Sequence, residues 1–187
     1  MKATAILTLV LTAMFCTTLG VRSAWAAEKK ILVAYFSHSG NTEAVAKQIH
    51  DRVGGDLLEI RTVGVYPAEY HECTEYAKKK QEENARPELS TKVSDMGAYD
   101  VVFIGYPIWW GTVPMGLFTF FEQYDFSGKT IAPFCTHGGS GVARSAADIA
   151  TLCPQATVLD ALAVRGASAG SAQNEVASWL QRVGMGN

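Results

Sequence analysis

The fold of this chain is decided by one stretch, residues 31–42, which reads ILVAYFSHSGNT. The continuous apolar run Ile31–Phe36 predicts a strand buried on both faces. It is followed by a polar turn that opens a helical pattern and contains Ser37, His38, Ser39, Gly40, Asn41 and Thr42. A strand, a glycine-containing turn and a helix N-terminus in succession bring backbone N–H groups and the positive end of the helix dipole together, which favours an anion.

The composition of this turn narrows the choice of anion. It contains no Lys or Arg and lacks the G-x-x-x-x-G-K-[ST] spacing of a triphosphate-binding loop. A single phosphate monoester held by neutral donors is therefore the predicted ligand. An ordinary strand–turn–helix with a Ser or Asn cap remains the alternative.

The first residues have the pattern of a secretory signal. Lys2 precedes an apolar run from Ala3 to Leu19, and Ala24-Trp25-Ala26 supplies small residues at the cleavage positions. We expect cleavage between Ala26 and Ala27, export to the periplasm or the exterior, and a single domain over residues 27–187. An uncleaved signal segment, as the one contact with a membrane, is the alternative, although the run is short of the roughly 20 residues of a span.

Charge and cysteine usage exclude several classes of function. The net charge of the whole chain is −2, and the signal removes two cations, so nucleic acid is not an expected partner. No CxxC or Cys/His cluster has metal-ligand spacing, so no metal is expected. Cys73, Cys135 and Cys153 are predicted to be buried apolar residues, with a Cys135–Cys153 disulfide left open.

Beyond the signal, apolar strands alternate with helical stretches. The predicted strands are Ile31–Phe36, Asp56–Val63, Val101–Tyr106, Thr130–Cys135 and Thr157–Val164. The predicted helices span about 41–52, 68–85, 114–124, 142–152 and 171–183. This alternation predicts an α/β domain with a doubly wound parallel sheet.

Ligands of such sheets bind at the carboxyl ends of the strands. The third strand is followed by Pro107, Ile108, Trp109, Trp110, Gly111 and Thr112, and the fourth by Thr136, His137, Gly138, Gly139, Ser140 and Gly141. One tryptophan is expected to stack on a flat ligand and the other to pack in the core. Glycines let the backbone donate N–H groups at close range. Together, the three loops predict a flat heterocycle with a phosphate tail.

These motifs resemble the flavodoxin family over essentially all of residues 27–187. The family's phosphate-loop motif [ST]-x-[ST]-G-x-T is met by Ser37, Ser39, Gly40 and Thr42. Its Trp-Gly pair is met by Trp110-Gly111, and His137–Gly141 holds the position of its second ring loop. The resemblance implies a short-chain, three-layer flavodoxin-like sandwich with strand order 2-1-3-4-5 and FMN as the cofactor.

The resemblance also assigns roles to the residues. The phosphate is expected on Ser37, Ser39, Asn41 and Thr42, with backbone N–H groups of Ser39–Asn41. Trp110 is expected to stack on the ring, and backbone groups of Thr136–Gly139 to hold its pyrimidine edge. The Gly111 carbonyl is expected to turn toward the ring on one-electron reduction. No residue is assigned as a general acid or base.

Two departures from the family pattern concern the ring. Thr112 stands where many members carry an acidic residue, so less negative charge opposes reduction, and the second reduction step should have a less negative potential. The tyrosine that often covers the outer ring face is missing, and only His137 is available there. An uncovered face could admit a substrate.

The favoured function is therefore an FMN-binding one-electron carrier with a redox protein as partner. The alternative is an FMN-dependent two-electron oxidoreductase acting on NAD(P)H or a small quinone, with His137 as a proton donor. A third alternative is a flavin-free interaction domain on the same fold.

Overall fold

The structure, a computed structural model, describes residues 29–186. The predicted signal segment and its cleavage position between Ala26 and Ala27 lie outside this range. Within the described residues, no helix has both the length and the apolar character needed to cross a membrane.

A parallel sheet forms the middle layer. Its strands are β1 (Ile31–Tyr35), β2 (Asp56–Glu59), β3 (Val101–Pro107), β4 (Thr130–His137), β5 (Thr157–Val158) and β6 (Leu162–Arg165). They are hydrogen-bonded in the order β2-β1-β3-β4-β5, and β6 continues the edge beside β4. The predicted order of the parallel sheet is confirmed.

The fifth predicted strand is divided where its neighbour has a proline. Leu159 donates its N–H to the carbonyl of Ile131. The backbone polar groups of every second β4 residue, including Pro133, therefore point toward this edge strand. Because Pro133 has no N–H to donate, the ladder is interrupted there. The register moves from Ile131 opposite Val158 to Phe134 opposite Leu162, which leaves one extra residue on the edge strand.

Helices cover both faces of the sheet. They are α1 (Asn41–Val53), α2 (Tyr70–Glu82), α3 (Met115–Gln123), α4 (Ser145–Leu152) and α5 (Gln173–Arg182), with short 3-10 helices at Met96–Ala98 and Gly166–Ser171. Alternate residues of β3 point to opposite faces of the sheet. Val101 and Phe103 pack with α1 and α5, whereas Val102 and Ile104 pack with α2, α3 and α4. The predicted three-layer sandwich is confirmed.

Several elements are shorter than predicted. β2 ends at Glu59 instead of Val63, and Thr62 instead forms an isolated antiparallel bridge with Leu89. α2 begins at Tyr70, where the carboxylate of Glu69 accepts the N–H of Glu72. α4 begins at Ser145 instead of residue 142, and the loop before it is correspondingly longer.

The three cysteines of the described part of the chain are buried free thiols. Burial raises the pKa of Cys135 to about 12 and that of Cys153 to about 11. The Cys135–Cys153 disulfide, which the sequence left open, is absent from the structure, and both residues act as apolar core side chains.

Candidate functional site

The turn between β1 and α1 presents free backbone donors at the start of a helix. α1 begins at Asn41, directly after Gly40, whose φ of 84° lies in the left-handed region that suits glycine. The backbone N–H groups of residues 38–42 donate to no acceptor within residues 29–186. Such first-turn N–H groups point out of the helix, where its dipole favours negative charge. The turn thus has the donors of the predicted anion site.

Two hydroxyl groups that we expected to bind phosphate have partners within the protein. Thr42 is 1% exposed, and its Oγ1 lies 2.9 Å from Oγ1 of Thr136 on β4. The Ser37 hydroxyl accepts the N–H of Glu43 at 3.3 Å. Because a hydroxyl can accept and donate at once, Ser37 keeps its own O–H as a donor. Thr42, in contrast, also holds α1 against β4.

Trp109 is the tryptophan that packs against the core. Its ring centroid lies 5.5 Å from that of Phe36 and 5.0 Å from that of Tyr66, both in edge-to-face arrangements. The ring of His38 makes a third such contact at 5.9 Å. Edge-to-face contacts are favourable for aromatic rings, so they fix Trp109 beneath the turn that follows β1.

Trp110 is 44% exposed and is held against α2. Its indole N–H donates to the Thr74 carbonyl at 2.9 Å, and the Lys78 ammonium lies 5.0 Å from the ring centroid. Its φ of 49° is unusual for a residue other than glycine. This conformation sets the ring on the α2 side of the sheet edge, as part of the wall of a cleft.

The turn after β3 is tied to the loop after β4. Trp109 and Thr112 exchange N–H···O bonds of 2.9 and 3.1 Å, which closes a tight turn with Gly111 at φ 82°. The Gly111 carbonyl accepts the N–H of Arg144 at 3.0 Å. The Thr112 hydroxyl donates to Asp148, which also accepts from the Arg144 guanidinium at 3.2 Å. The first predicted ring loop is therefore tied to Arg144 and Asp148, which follow the second ring loop in the chain.

His137 ends β4 as a neutral imidazole. Its Nδ1 accepts the N–H of Gly141 at 3.1 Å, so Nδ1 carries no proton and Nε2 carries one. Burial, and then the nearby Arg165 cation, lower the pKa of His137. At neutral pH this ring is a hydrogen-bond donor without charge.

These loops and α2 surround a cleft of about 550 Å³, within the usual range of ligand pockets. The predicted site residues that line it are His38, Ser39, Asn41, Pro107, Ile108, Trp109, Trp110, Thr136, His137 and Gly138. The predicted site residues outside its lining are Ser37, Gly40, Thr42, Gly111, Thr112, Gly139, Ser140 and Gly141. Thr112 is buried, with 1% of its surface exposed, and its hydroxyl is hydrogen-bonded to Asp148 instead of facing the cleft.

Two parts of the cleft were missed by sequence reasoning. One is the wall formed by α2, with Tyr70, Cys73, Thr74 and Ala77; the other is the segment Arg165–Ala167 after β6. The α2 residues have helical spacing, but the sequence does not say which loops that helix face meets. Arg165 could have been found, because it directly follows the last predicted strand at its carboxyl end.

Comparisons with known proteins agree on one family. The model of the flavodoxin family matches residues 30–183. A flavodoxin of Haemophilus influenzae is 32% identical over 104 residues, which are 54% of this chain and 45% of the relative. The chain spans about half the length of the curated relatives it matches.

Solved structures give a longer match. A protein of Bacteroides eggerthii is 32% identical, with a TM-score of 0.74 over 83% of this chain and 98% of that one. A flavoprotein of Lactobacillus acidophilus, solved in complex with FMN, is 25% identical, with a TM-score of 0.64. The match covers 75% of this chain and 95% of that chain.

Proposed function

The chain belongs to the flavodoxin family and is an FMN-binding flavoprotein, and we propose that it carries single electrons between redox partners. One observation carries the proposal. The free N–H groups of residues 38–42 lie at the start of α1, and His38, Ser39 and Asn41 line the same cleft as Trp109 and Trp110. A phosphate site and a flat aromatic wall in one cleft match the two ends of FMN.

The residues present fit this cofactor in size and chemistry. Gly166 shows how closely the cleft is built, since a Cβ atom there would lie 2.9 Å from the Asn41 amide nitrogen. Asn41 and Ser39, with the free N–H groups, would bind the phosphate. Trp110 would contact the ring, and the backbone of Thr136–Gly139 would hold its polar edge. FMN supplies the redox chemistry, and the protein supplies binding, orientation and electrostatics.

A carrier function is supported by how firmly the first ring loop, after β3, is held. The Gly111 carbonyl is bonded to Arg144, and the Trp110 indole to Thr74. These hydrogen bonds favour a site whose backbone conformation changes little between redox states. Turning the Gly111 peptide breaks one backbone hydrogen bond, which costs about 1 kcal/mol.

A second candidate is a two-electron oxidoreductase that passes hydride between NAD(P)H or a quinol and FMN. It is favoured by the open α2 side of the cleft, where Tyr70 is 83% exposed. The protonated Nε2 of neutral His137 would serve as a donor to a substrate oxygen. A small quinone is the substrate that suits this apolar wall.

An anaerobic reductive titration of the FMN-loaded protein, followed by visible and EPR spectra, tests the choice. Two separate one-electron steps, with an unpaired-electron signal at half reduction, would support the carrier. A single two-electron step without that signal would replace it with the oxidoreductase. Absence of FMN binding at micromolar concentrations would contradict both and favour an interaction domain.

The place of action is part of the proposal. Residues 1–26 have the composition of a secretory signal, so we place the domain in the periplasm or outside the cell, with a redox protein as the partner. Fractionation of cells and mass spectrometry of the N-terminus test this placement. A cytoplasmic protein that begins at Met1 would contradict it.

A further inference from the structure

The cleft is lined by a single formally charged side chain. Among the described residues that form its wall, Arg165 alone is a Lys, Arg, Asp or Glu. No carboxylate lies in the wall, although the chain as a whole is mildly acidic. The local charge of the cleft is therefore opposite in sign to the net charge of the protein.

Arg165 extends over the loop that follows β4. It is the last residue of β6 and lies opposite His137 in the parallel register, so both side chains leave the same face of the sheet. A Cβ atom at Gly139 would lie 3.9 Å from a guanidinium nitrogen of Arg165. The guanidinium is thus placed beside the loop whose backbone we assign to the pyrimidine edge of the ring.

The Arg165 cation has no polar partner within residues 29–186. Arg165 is exposed and makes no side-chain hydrogen bond or ion pair within residues 29–186. Its charge lies close enough to His137, at the end of β4, to lower the pKa of that ring, although burial is the larger cause. An arginine whose guanidinium has no partner in the described part of the chain is available to a ligand.

We propose that Arg165 raises the electron affinity of the site by favouring reduced, anionic FMN over neutral oxidised FMN. The proposal rests on FMN binding, as argued above. Reduction without uptake of a second proton places a negative charge on the ring, which a cation nearby attracts. The phosphate has the same charge in both redox states, so a cation that served the phosphate would not alter their relative affinity.

The expected effect follows from the loss of one exposed charge. Arg165→Gln should weaken the binding of reduced FMN relative to oxidised FMN by about tenfold, the scale of a single partly solvated charge at short range. A tenfold change in this ratio corresponds to a potential about 30 mV more negative for the two-electron couple of oxidised and reduced FMN. Arg165→Lys keeps the charge and should keep most of the potential.

The test measures dissociation constants and potentials with both FMN and riboflavin, which lacks the phosphate. Arg182→Gln is the matched control, because Arg182 is exposed at the far end of α5, away from the cleft. A more negative potential with both flavins in Arg165→Gln, but in neither Arg165→Lys nor the control, supports the proposal.

Other outcomes separate its failure from that of the proposed function. An unchanged potential in Arg165→Gln overturns the role of Arg165 while leaving FMN binding intact. Weaker binding of FMN but not of riboflavin, equal in both redox states, would also overturn it and assign Arg165 to the phosphate. A wild-type protein that binds neither flavin would overturn the proposed function itself. Thermal unfolding of each variant confirms that it is folded.

Discussion

The buried pair Thr42–Thr136 offers a test of how the phosphate turn is fixed to the sheet. The two hydroxyl oxygens are 2.9 Å apart, and the residues are 1% and 4% exposed. Thr42→Val or Thr136→Val keeps the side-chain shape but leaves the other hydroxyl buried without its partner. An unsatisfied buried group of this kind costs about 1–3 kcal/mol.

The double variant distinguishes this reasoning from a general intolerance of valine. Thr42→Val/Thr136→Val removes both polar groups at once, so it leaves none unsatisfied and should be close to the wild type in stability. The sum of the two single losses should exceed the loss in the double variant by at least about 1 kcal/mol. In a domain of this size, each kcal/mol corresponds to about 2–4 °C in Tm.

Urea unfolding of the FMN-free protein measures these free energies. Thr151→Val is the control, because it removes an exposed hydroxyl on α4 that donates to the Ala147 carbonyl. We expect its effect to stay within about 0.5 kcal/mol. If the losses of the two single variants simply add in the double variant, the hydroxyl pair does not hold α1 to β4 and the reasoning is refuted.

Three further variants probe the cleft. In Gly111→Ala the added Cβ has no neighbour within 4 Å, but the residue must keep a φ of 82°, so the free energy of unfolding should fall by about 1–2 kcal/mol. The EPR signal at half reduction should also fall, and an undiminished signal would argue against turning of this peptide. Gly166→Ala brings a Cβ to 2.9 Å from the Asn41 amide nitrogen, so its affinity for FMN should fall several-fold while its affinity for riboflavin stays near that of the wild type. The control Gly170→Ala should bind both flavins like the wild type, and an equal loss for both flavins in Gly166→Ala would contradict a role of Asn41 in binding the phosphate. The pKa of His137 is lower in the folded protein than in the unfolded chain, so stability falls as pH drops through about 6.5. The difference between the urea midpoints at pH 7 and pH 5 should be smaller in His137→Gln than in the wild type. An equal difference in the two proteins would contradict this reasoning.

The fold could be predicted because its signals are local. Residues 101–106 are apolar without interruption, and the structure divides them between two cores on opposite faces of the sheet. The break in the edge strand could not be predicted from residues 157–164 themselves. Its cause is Pro133 on the neighbouring strand, and only the register shows that this proline faces the edge.

The candidate site was predictable where it follows directly from a strand end. Ser39 and Trp110 come shortly after such an end and His137 lies at one, and all three line the cleft. The wall formed by α2 was not predictable, because its place depends on contacts distant in sequence, such as the bond from Trp110 to Thr74. The sequence likewise gives no sign that Thr112 would turn inward to Asp148.

The turn at Trp110–Gly111 links these observations to the choice between one and two electrons. Trp110 has a backbone conformation that costs most residues about 1–3 kcal/mol. This strain persists because hydrogen bonds to two neighbouring segments hold the turn. The Thr74 carbonyl fixes the indole, while the Arg144 N–H fixes the Gly111 carbonyl. A carrier benefits from this rigidity, because electron transfer then requires little rearrangement. The same hydrogen bonds oppose rotation of the Gly111 peptide toward the position that the ring would occupy. The balance between these effects is what the reductive titration measures, and Arg165 shifts the second reduction without altering the turn.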